Sequence, residues 1–388
     1  MKIGIITLWQ SSDNYGQQLQ CWALQQELIK LGHEPYLIRY DIEHKFSSIC
    51  KPSIFKKMLK LLLVYPIVPF FMRKIRQRKE QKLCDYNALR NVERNFDNFR
   101  KDNIIMSNQI YTSLQNLKEN PPKADAYIVG SDQVWAFLLD KFENRVMFLD
   151  FGEKTTKRIA YAPSFSMPSY PDRLKSLLKN NLERFDFLSV REQTGVKICN
   201  ELGFQSQTVL DPTLLLEKDS YSTISSSESI GNYIYLYYLN IKDAEEVQWC
   251  RLKQFAKKSK LKIIATPASG YIQGRELFDN VEYRYATIPQ WINLINGARL
   301  VVTTSFHGVV FCILHHTPFV YFPLKGKFSK GNNRVLDLLK DLNLSDCIMK
   351  DGETFATIMK KEINWNTIDV LLNKFRNHSE DFLKEALI

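Results

Sequence analysis

The stretch that most constrains the fold of this chain is residues 298–308, Ala-Arg-Leu-Val-Val-Thr-Thr-Ser-Phe-His-Gly. Residues 300–302 are apolar, as in a buried parallel strand, and residues 309–316 are typical of a helix. This pattern predicts that His307 lies in a strand-to-helix loop. In open α/β sheets ligands bind at the carboxyl ends of the strands, where helix N-termini attract anions. An imidazole there can transfer protons near neutral pH, although a histidine that only caps or packs the turn is the alternative.

The same alternation of strand, polar loop and helix recurs along the chain. At 388 residues the chain is long for one domain, so we expect two α/β domains. We place them at residues 1–215 and 216–360, joined by a serine-rich linker at 220–231. A final helix within residues 361–388 could cross back onto the first domain. Strands are predicted at residues 2–8, 36–40, 126–129, 159–162, 187–190, 208–210, 233–239, 262–265, 282–285, 300–302 and 318–322. Helices are predicted at residues 16–31, 81–100, 171–185, 193–202, 243–259, 289–296, 309–316, 333–342 and 365–387.

Composition and spacing disfavour several classes of site. Seven cysteines are scattered without a CxxC pair or zinc-ligand spacing, which favours reduced thiols and no metal site. The first strand-to-helix loop, residues 9–16, lacks GxGxxG, so a dinucleotide cofactor is disfavoured. The chain starts directly as a strand without a charged leader, which predicts a cytoplasmic protein.

The basic charge is concentrated in one insertion, residues 45–80. The net charge of +11 indicates an anionic partner. Residues 51–79 carry nine Lys or Arg and no acidic residue. The apolar part, residues 58–72, is short, contains a lysine and is interrupted by Pro66 and Pro69, so we expect no membrane-spanning helix. The pattern is typical of an interfacial anchor on an anionic membrane; a domain cap or a subunit interface is the alternative.

Polar residues follow several predicted strands, and each has an ordinary structural alternative. Asn14 could simply cap the next helix, and so could Asp132. Trp135 could stack on a sugar or fill the core. Arg191 and Glu192 could form a surface ion pair. The Asp-Pro pair that begins at Asp211 is interpreted as a turn at the domain joint.

Taken in order, six motifs resemble those of the polysaccharide pyruvyl transferase family. They are Asn-Tyr-Gly at 14–16, Gly-Ser-Asp-Gln-Val-Trp at 130–135, Tyr-Ala-Pro-Ser-Phe at 161–165, Leu-Ser-Val-Arg-Glu at 188–192, Leu-Asp-Pro-Thr at 210–213 and Ser-Phe-His-Gly at 305–308. The resemblance covers roughly residues 1–344 and leaves the insertion outside. It implies two Rossmann-like domains that face a cleft, as in the B-type glycosyltransferases, with the acceptor on the first domain and the donor on the second. It also implies transfer of an enolpyruvyl unit from phosphoenolpyruvate to a sugar, which gives a cyclic pyruvate ketal and phosphate.

The resemblance assigns Arg191 and His307 to the donor. Many relatives carry an arginine two residues before the histidine, where this chain has Ser305, so we expect another group to help Ser305 hold the donor. Three local cations are candidates for this role: Lys325, Lys327 and Arg334.

The chemistry implied by this donor sets the remaining roles. Phosphoenolpyruvate carries two anionic groups, which arginines can bind through paired hydrogen bonds. Ketal formation needs a general acid near C3, a base for the sugar hydroxyl and a clamp on the leaving phosphate. We assign His307 to proton transfer or phosphate stabilisation, Arg191 to the donor anion and Asp132 to the acceptor hydroxyl. The expected acceptor-binding residues are Asn14, Tyr15, Gln133 and Trp135. No cofactor or metal is expected.

Two other functions stay open at this point. A nucleotide-sugar glycosyltransferase of the same fold would need a base pocket and diphosphate contacts in the second domain, and no motif for either is identified. A non-enzymatic membrane- or nucleic-acid-binding protein would use the basic charge. Because that charge lies in one insertion rather than in the motif-bearing loops, we expect no nucleic-acid partner. We expect phosphoenolpyruvate, a sugar acceptor on a polysaccharide or lipid carrier, and the inner face of the cytoplasmic membrane as partners. The loops at Asn14, Asp132, Arg191, 305–307 and 325–330 should line one cleft between the domains.

Overall fold

The computed structural model describes residues 1–41, 82, 85–86, 89–226, 228, 230–268 and 276–388. The basic insertion, residues 45–80, lies outside the described residues, so its predicted membrane contact stays a prediction. In the described part of the chain, no helix has both the length and the apolar character needed to cross a membrane.

The described residues form a seven-stranded and a five-stranded sheet, and the strand pairs are parallel. The strands are β1 (Lys2–Ile6), β2 (Glu34–Tyr40), β3 (Met106–Tyr111), β4 (Ala126–Val129), β5 (Lys157–Ala160), β6 (Phe187–Val190), β7 (Gln207–Thr208), β8 (Tyr233–Tyr238), β9 (Lys262–Pro267), β10 (Glu282–Tyr283), β11 (Leu300–Thr303) and β12 (Phe319–Tyr321).

Helices connect these strands and cover the sheets. The α-helices are α1 (Tyr15–Lys30), α2 (Phe96–Asn103), α3 (Leu114–Glu119), α4 (Lys175–Leu182), α5 (Gln193–Glu201), α6 (Pro212–Leu215), α7 (Trp249–Lys258), α8 (Ile288–Asn296), α9 (Phe306–Leu314), α10 (Asn333–Asp341), α11 (Phe355–Met359) and α12 (Trp365–Ala386). Short 3₁₀ turns lie at Gln133–Ala136, Phe142–Phe148, Asp172–Leu174, Lys218–Ile224, Ala244–Val247, Gly326–Asn332 and Ser345–Cys347.

Both sheets have the strand order of a Rossmann fold. The first sheet runs β3-β2-β1-β4-β5-β6-β7 and the second runs β10-β9-β8-β11-β12. In each sheet the strand order reverses at the centre. The reversal lies between β1 and β4 in the first sheet and between β8 and β11 in the second. The predicted α/β fold with two Rossmann-like domains is therefore confirmed. Ligands in such sheets bind outside the carboxyl ends of the strands at these reversal points.

The central strands are apolar because helices cover both of their faces. β1, β4, β8 and β11 consist mainly of Ile, Val, Leu, Tyr and Ala, and nearly every residue in them is buried. Strands buried on both faces lose the polar–apolar alternation of half-exposed strands. The short apolar runs in the sequence were therefore informative.

Several elements differ from the sequence prediction, among them the short helices α3, α6 and α11, which were not predicted. The helix predicted at residues 81–100 is interrupted before α2, because Asn95 adopts a left-handed conformation with φ 55°. Leu89 and Val92, two apolar residues of this segment, are 72% and 76% exposed. The edge strand β3 was not predicted, since half of its sequence Met-Ser-Asn-Gln-Ile-Tyr is polar and only its last residue is buried.

The C-terminal helix α12 packs against the first domain. Ser379 Oγ accepts a hydrogen bond from Leu210 N at 3.0 Å. Lys30 Nζ lies 2.9 Å from Glu380 Oε1. The serine-rich segment between the sheets begins as the turn Lys218–Ile224, in which Tyr221 is buried.

Candidate active site

The sequence predicted that His307 lies in the loop before α9, but the residue lies in the first turn of that helix. Ser305 has the extended backbone of a helix N-cap, and its Oγ accepts a hydrogen bond from Gly308 N at 3.3 Å. Serine is favoured at this position because its hydroxyl satisfies an N–H group that the helix leaves free. The helix thus starts three residues earlier than expected. The Ser305 hydroxyl, predicted to bind the donor, serves as the cap.

The imidazole of His307 lies directly against Gly16 at the start of α1. A Cβ atom built on Gly16 would overlap Nδ1, Cγ and Cε1 of the ring. The glycine of the Asn-Tyr-Gly motif therefore leaves the space that the histidine of the other domain occupies. Asn14, predicted to bind the acceptor, caps α1 by accepting a hydrogen bond from Gln17 N at 3.4 Å.

Arg191 follows β6, and its side chain is only 2% exposed. Its Nη1 donates to Asp211 Oδ2 at 2.7 Å and to Ser131 Oγ at 3.4 Å. Asp211 Oδ2 also lies 3.6 Å from His307 Nε2, a distance that suits an ion pair but is long for a hydrogen bond. One carboxylate thus connects the two residues that the resemblance assigned to the donor.

Sequence reasoning missed this role of Asp211, because it interpreted the Asp-Pro pair as a turn. The turn is present: Asp211 Oδ1 accepts hydrogen bonds from Thr213 N at 3.1 Å and from Thr213 Oγ1 at 2.6 Å. A carboxylate has two oxygens, and the other one serves the site. Asp211 follows β7 closely, as Arg191 follows β6, and this position near a strand end was the available signal of a role in the site.

The charges in this cluster stabilise one another. Burial raises the pKa of Asp211, but the nearby His307 and Arg191 outweigh burial and hold the pKa well below its usual range. Burial likewise lowers the pKa of Arg191, and the carboxylates of Asp211, Asp132 and Glu192 outweigh it, so the net shift is upward. Arg191 therefore stays cationic.

Arg334, in the first turn of α10, brings a second guanidinium from the other domain. Its Nη1 lies 3.6 Å from Asp132 Oδ1, and the same oxygen lies 3.6 Å from Arg191 Nη2. The two guanidinium carbons lie 4.5 Å (Arg191) and 5.7 Å (Arg334) from the ring centre of Phe306. Burial and the charge of Arg191 lower the pKa of Arg334. Two guanidinium groups held this close could together bind an anion through paired hydrogen bonds.

Of the three cations proposed to replace the missing arginine, Arg334 lies in this cluster. Lys325 and Lys327 are exposed on the turn before α10, and Lys327 Nζ lies 4.8 Å from the ring centre of Phe328.

Asp132 sits in a strained backbone conformation, with φ 79°. Such values cost energy for a residue with a side chain and cluster at functional sites. It makes no side-chain cap to the turn that follows, so the alternative role of N-cap does not hold. Its carboxylate instead lies between the two arginines.

Gln133 contacts Arg334 across the cleft. In the amide orientation that satisfies its neighbours, its oxygen accepts from Arg334 Nη1 at 3.0 Å and Nη2 at 2.8 Å. The same oxygen accepts from Ser166 Oγ at 3.0 Å. In this conformation Gln133 positions Arg334 and does not offer its amide to a sugar.

Two aromatic residues predicted to bind the acceptor lie in the core. Trp135 is fully buried, stacks on Phe148 at 5.1 Å between ring centres, and donates from Nε1 to Met147 O at 2.8 Å. Tyr15 is fully buried, and its hydroxyl donates to Ala286 O at 2.6 Å. Because core carbonyls satisfy their polar atoms, these rings need no ligand or solvent.

Glu192 is buried beside Arg191 and is not the surface ion-pair residue that the sequence suggested. Its Oε1 accepts hydrogen bonds from Ser164 Oγ at 2.9 Å, Phe165 N at 3.0 Å and Ser166 N at 3.3 Å. A cavity of about 60 Å³ is lined by Arg191, Glu192, Asp211, Phe306 and Arg334, among other residues. In the part of the chain that the structure describes, no group of three His, Cys, Asp or Glu side chains is arranged to hold a metal ion.

Comparison with known proteins identifies one family. The family model for polysaccharide pyruvyl transferase matches residues 14–326. No curated protein matches the sequence significantly. Among solved structures, the glycotransferase of kitacinnamycin is 12% identical and aligns over 100% of this chain and 99% of its own, with a TM-score of 0.49. UDP-GlcNAc 2-epimerase from Neisseria meningitidis, bound to UDP-GlcNAc, is 10% identical over 100% and 99%, with a TM-score of 0.46. At these scores the fold assignment rests on the two parallel sheets of the chain itself.

Proposed function

Since the chain belongs to the polysaccharide pyruvyl transferase family, we propose that it moves an enolpyruvyl unit from phosphoenolpyruvate to a sugar of a polysaccharide or its lipid-linked precursor. The products are a cyclic pyruvate ketal and phosphate. The observation that carries this proposal is that Arg191 and Arg334, from opposite domains, both lie against the ring of Phe306, the residue before His307.

The free hydrogen-bond donors of Arg191 support an anionic donor substrate. Among the described residues, its Nε and Nη2 have no hydrogen-bond partner although they are buried. Buried donors without partners are costly, and a carboxylate or phosphate would satisfy them. Phosphoenolpyruvate has both groups on one small frame, so Arg191 and Arg334 would share it.

Proton transfer in this scheme falls to His307 and Asp132. Asp211 faces His307 Nε2 and would stabilise the charged imidazole, which can then give its proton to the departing phosphate. Asp132 lies between the arginines and would accept or orient a sugar hydroxyl.

The small volume of the cavity suggests that the donor enters a more open arrangement. About 60 Å³ holds a few water molecules but falls short of phosphoenolpyruvate. The arginines come from opposite domains, so binding of the donor between them would favour closure of the cleft.

We place the enzyme in the cytoplasm, on the inner face of the cytoplasmic membrane, where a lipid-linked acceptor is accessible. The support is the basic, apolar insertion at residues 45–80, which carries the residues of an interfacial anchor.

The direct experiment measures phosphate release from phosphoenolpyruvate by the purified chain across a panel of free and lipid-linked sugars. We expect release that depends on the acceptor, with a ketal product identified by mass spectrometry. UDP- and GDP-sugars form the second arm of the assay. Sugar transfer from these donors, without use of phosphoenolpyruvate, would contradict the proposal and indicate a glycosyltransferase.

Changing His307 tests its proposed role in that assay. His307→Ala should lower the turnover number by about 10²-fold or more, because a positioned proton carrier contributes that much. The matched control is His33→Ala, in the turn between α1 and β2. If His307→Ala keeps turnover within a few-fold at saturating donor, while circular dichroism shows an intact fold, the histidine is only structural.

A further inference from the structure

One oxygen of Glu192 has a clear structural role. Oε1 is held by Ser164 Oγ and by the N–H groups of Phe165 and Ser166, so it fixes the loop that follows β5. A residue with only this role needs a single acceptor atom there, which a glutamine could supply.

The other oxygen has no such partner. Glu192 Oε2 is buried and has no hydrogen-bond partner among the residues that the structure describes. The residue is 2% exposed and lines the cavity shared by Arg191, Phe306 and Arg334. Leaving a buried carboxylate oxygen unpaired is unfavourable, which favours either the protonated acid or contact with a ligand.

Resting on the pyruvyl transfer proposed above, we propose that Glu192 is a further catalytic residue, which gives a proton from Oε2 to C3 of phosphoenolpyruvate. Arg191 and Arg334 lie at the same cavity, so a donor bound between them would bring its methylene carbon toward this acid. His307 is then free to take the proton of the sugar hydroxyl and to give it to the departing phosphate.

The protons balance in this scheme. Transfer from Glu192 turns C3 into a methyl group and leaves C2 electron-poor. The first sugar hydroxyl attacks C2, and its proton passes to His307, which gives it to the phosphate as the C2–O bond breaks. The second hydroxyl then attacks C2 to close the ring. Its proton returns to Glu192, and the acid is ready for another turnover.

The electrostatic surroundings keep this acid protonated to higher pH than an exposed glutamate. Burial raises the pKa of Glu192, while Arg191 from the preceding position and Arg334 from α10 lower it, and the net shift is upward. Cys199 of α5 also interacts electrostatically with Glu192, and burial raises the pKa of that thiol to about 11, so it stays neutral.

Glu192→Gln tests the proposal because it keeps an oxygen for the Ser164–Ser166 loop and removes only the acid. We expect the turnover number for phosphate release to fall about 10²-fold with little change in KM for phosphoenolpyruvate. In D₂O, deuterium incorporation at C3 should fall equally. The loss of wild-type turnover at high pH, where Glu192 ionises, should be absent from the variant. Glu201→Gln, at the exposed C-terminal end of α5, the helix that Glu192 precedes, is the control and should behave as wild type.

The outcomes separate this inference from the proposed function. If the wild type releases phosphate and Glu192→Gln retains turnover within about 3-fold with the same pH profile, Glu192 is structural and the inference fails alone. If the wild type consumes no phosphoenolpyruvate with any acceptor, the proposed function fails and this inference with it. Should Glu192→Gln not fold, Glu192→Asp decides: it keeps the acid on a shorter stem, so partial turnover with the high-pH loss retained supports the inference. Full turnover without that loss overturns it.

Discussion

Gly16 determines the position of His307 without any side chain of its own. A methyl group there would overlap the imidazole, and the ring belongs to a buried helix that cannot easily move away. We expect Gly16→Ala to lower turnover by at least 10-fold through displacement of His307. The matched control is Gly32→Ala at the other end of α1, where a Cβ would meet open space. Because φ is +84° there, the control should cost about 1 kcal/mol of stability and leave turnover intact. Equal turnover in both variants would contradict the proposed contact.

The upward pKa shift of Glu192 has a consequence for stability that needs no substrate. A glutamate ionises near pH 4.5 when unfolded, whereas the buried acid keeps its proton to higher pH. The folded state therefore binds more protons, and the wild type loses stability as pH rises above about 4.5. Urea unfolding of wild type and Glu192→Gln should show the variant gaining relative stability from pH 4 to pH 8. A constant difference across this range would mean that the pKa of Glu192 is not raised.

At the residue scale, the sequence indicated His307, Arg191 and Asp132 from their positions after short apolar strands and from the resemblance. Their roles stay predictions, but the structure brings the three together. Tyr15 and Trp135 were misjudged because an aromatic ring with a polar tip suits a sugar or a core equally well. Only tertiary contacts, such as the bond from Trp135 Nε1 to Met147 O, decide between them.

At the element scale, the cap of α9 connects stability to the site. Ser305→Ala removes the hydrogen bond to Gly308 N, which we expect to cost about 1 kcal/mol in the free energy of unfolding. Because His307 lies in the turn that this bond fixes, turnover should also fall several-fold. Thr354→Ala removes the equivalent cap of α11 and should cost similar stability without affecting turnover. An unchanged turnover number in Ser305→Ala would show that the cap does not position the histidine.

The predictability of elements followed their burial. β1, β4 and β11 were found from the sequence because strands buried on both faces are apolar throughout. The edge strand β3 was missed, since exposed residues on an edge carry no such pattern. The convergence of α10 with β6 was also beyond the sequence, because it depends on how the two sheets meet and not on any local preference. Arg334 was therefore one of three equal candidates until the structure placed it against Asp132.

For the whole molecule, the basic insertion predicts reversible attachment to anionic membranes. Each Lys or Arg near such a surface contributes about 1 kcal/mol, screened by salt. Wild type should therefore pellet with vesicles of anionic lipid at low salt, and a variant with seven basic residues changed to glutamine should not: Lys56, Lys57, Arg73, Lys74, Arg76, Arg78 and Lys79. A control with Lys257, Lys258 and Lys260 changed should pellet as wild type does. If wild type stays in solution, or if the variant with seven substitutions pellets equally, the insertion caps a domain or forms a subunit contact.

The central claim is that one donor anion is held between arginines from opposite domains, and isothermal titration of phosphoenolpyruvate tests it most directly. Lysine keeps the charge but loses the planar fork, so Arg191→Lys and Arg334→Lys should each weaken binding by about 10-fold or more. Arg173→Lys, whose side chain is 63% exposed, is the matched control and should bind as wild type does. Wild-type affinity in either cleft variant would remove that arginine from the donor site, and affinity retained in both would contradict the claim.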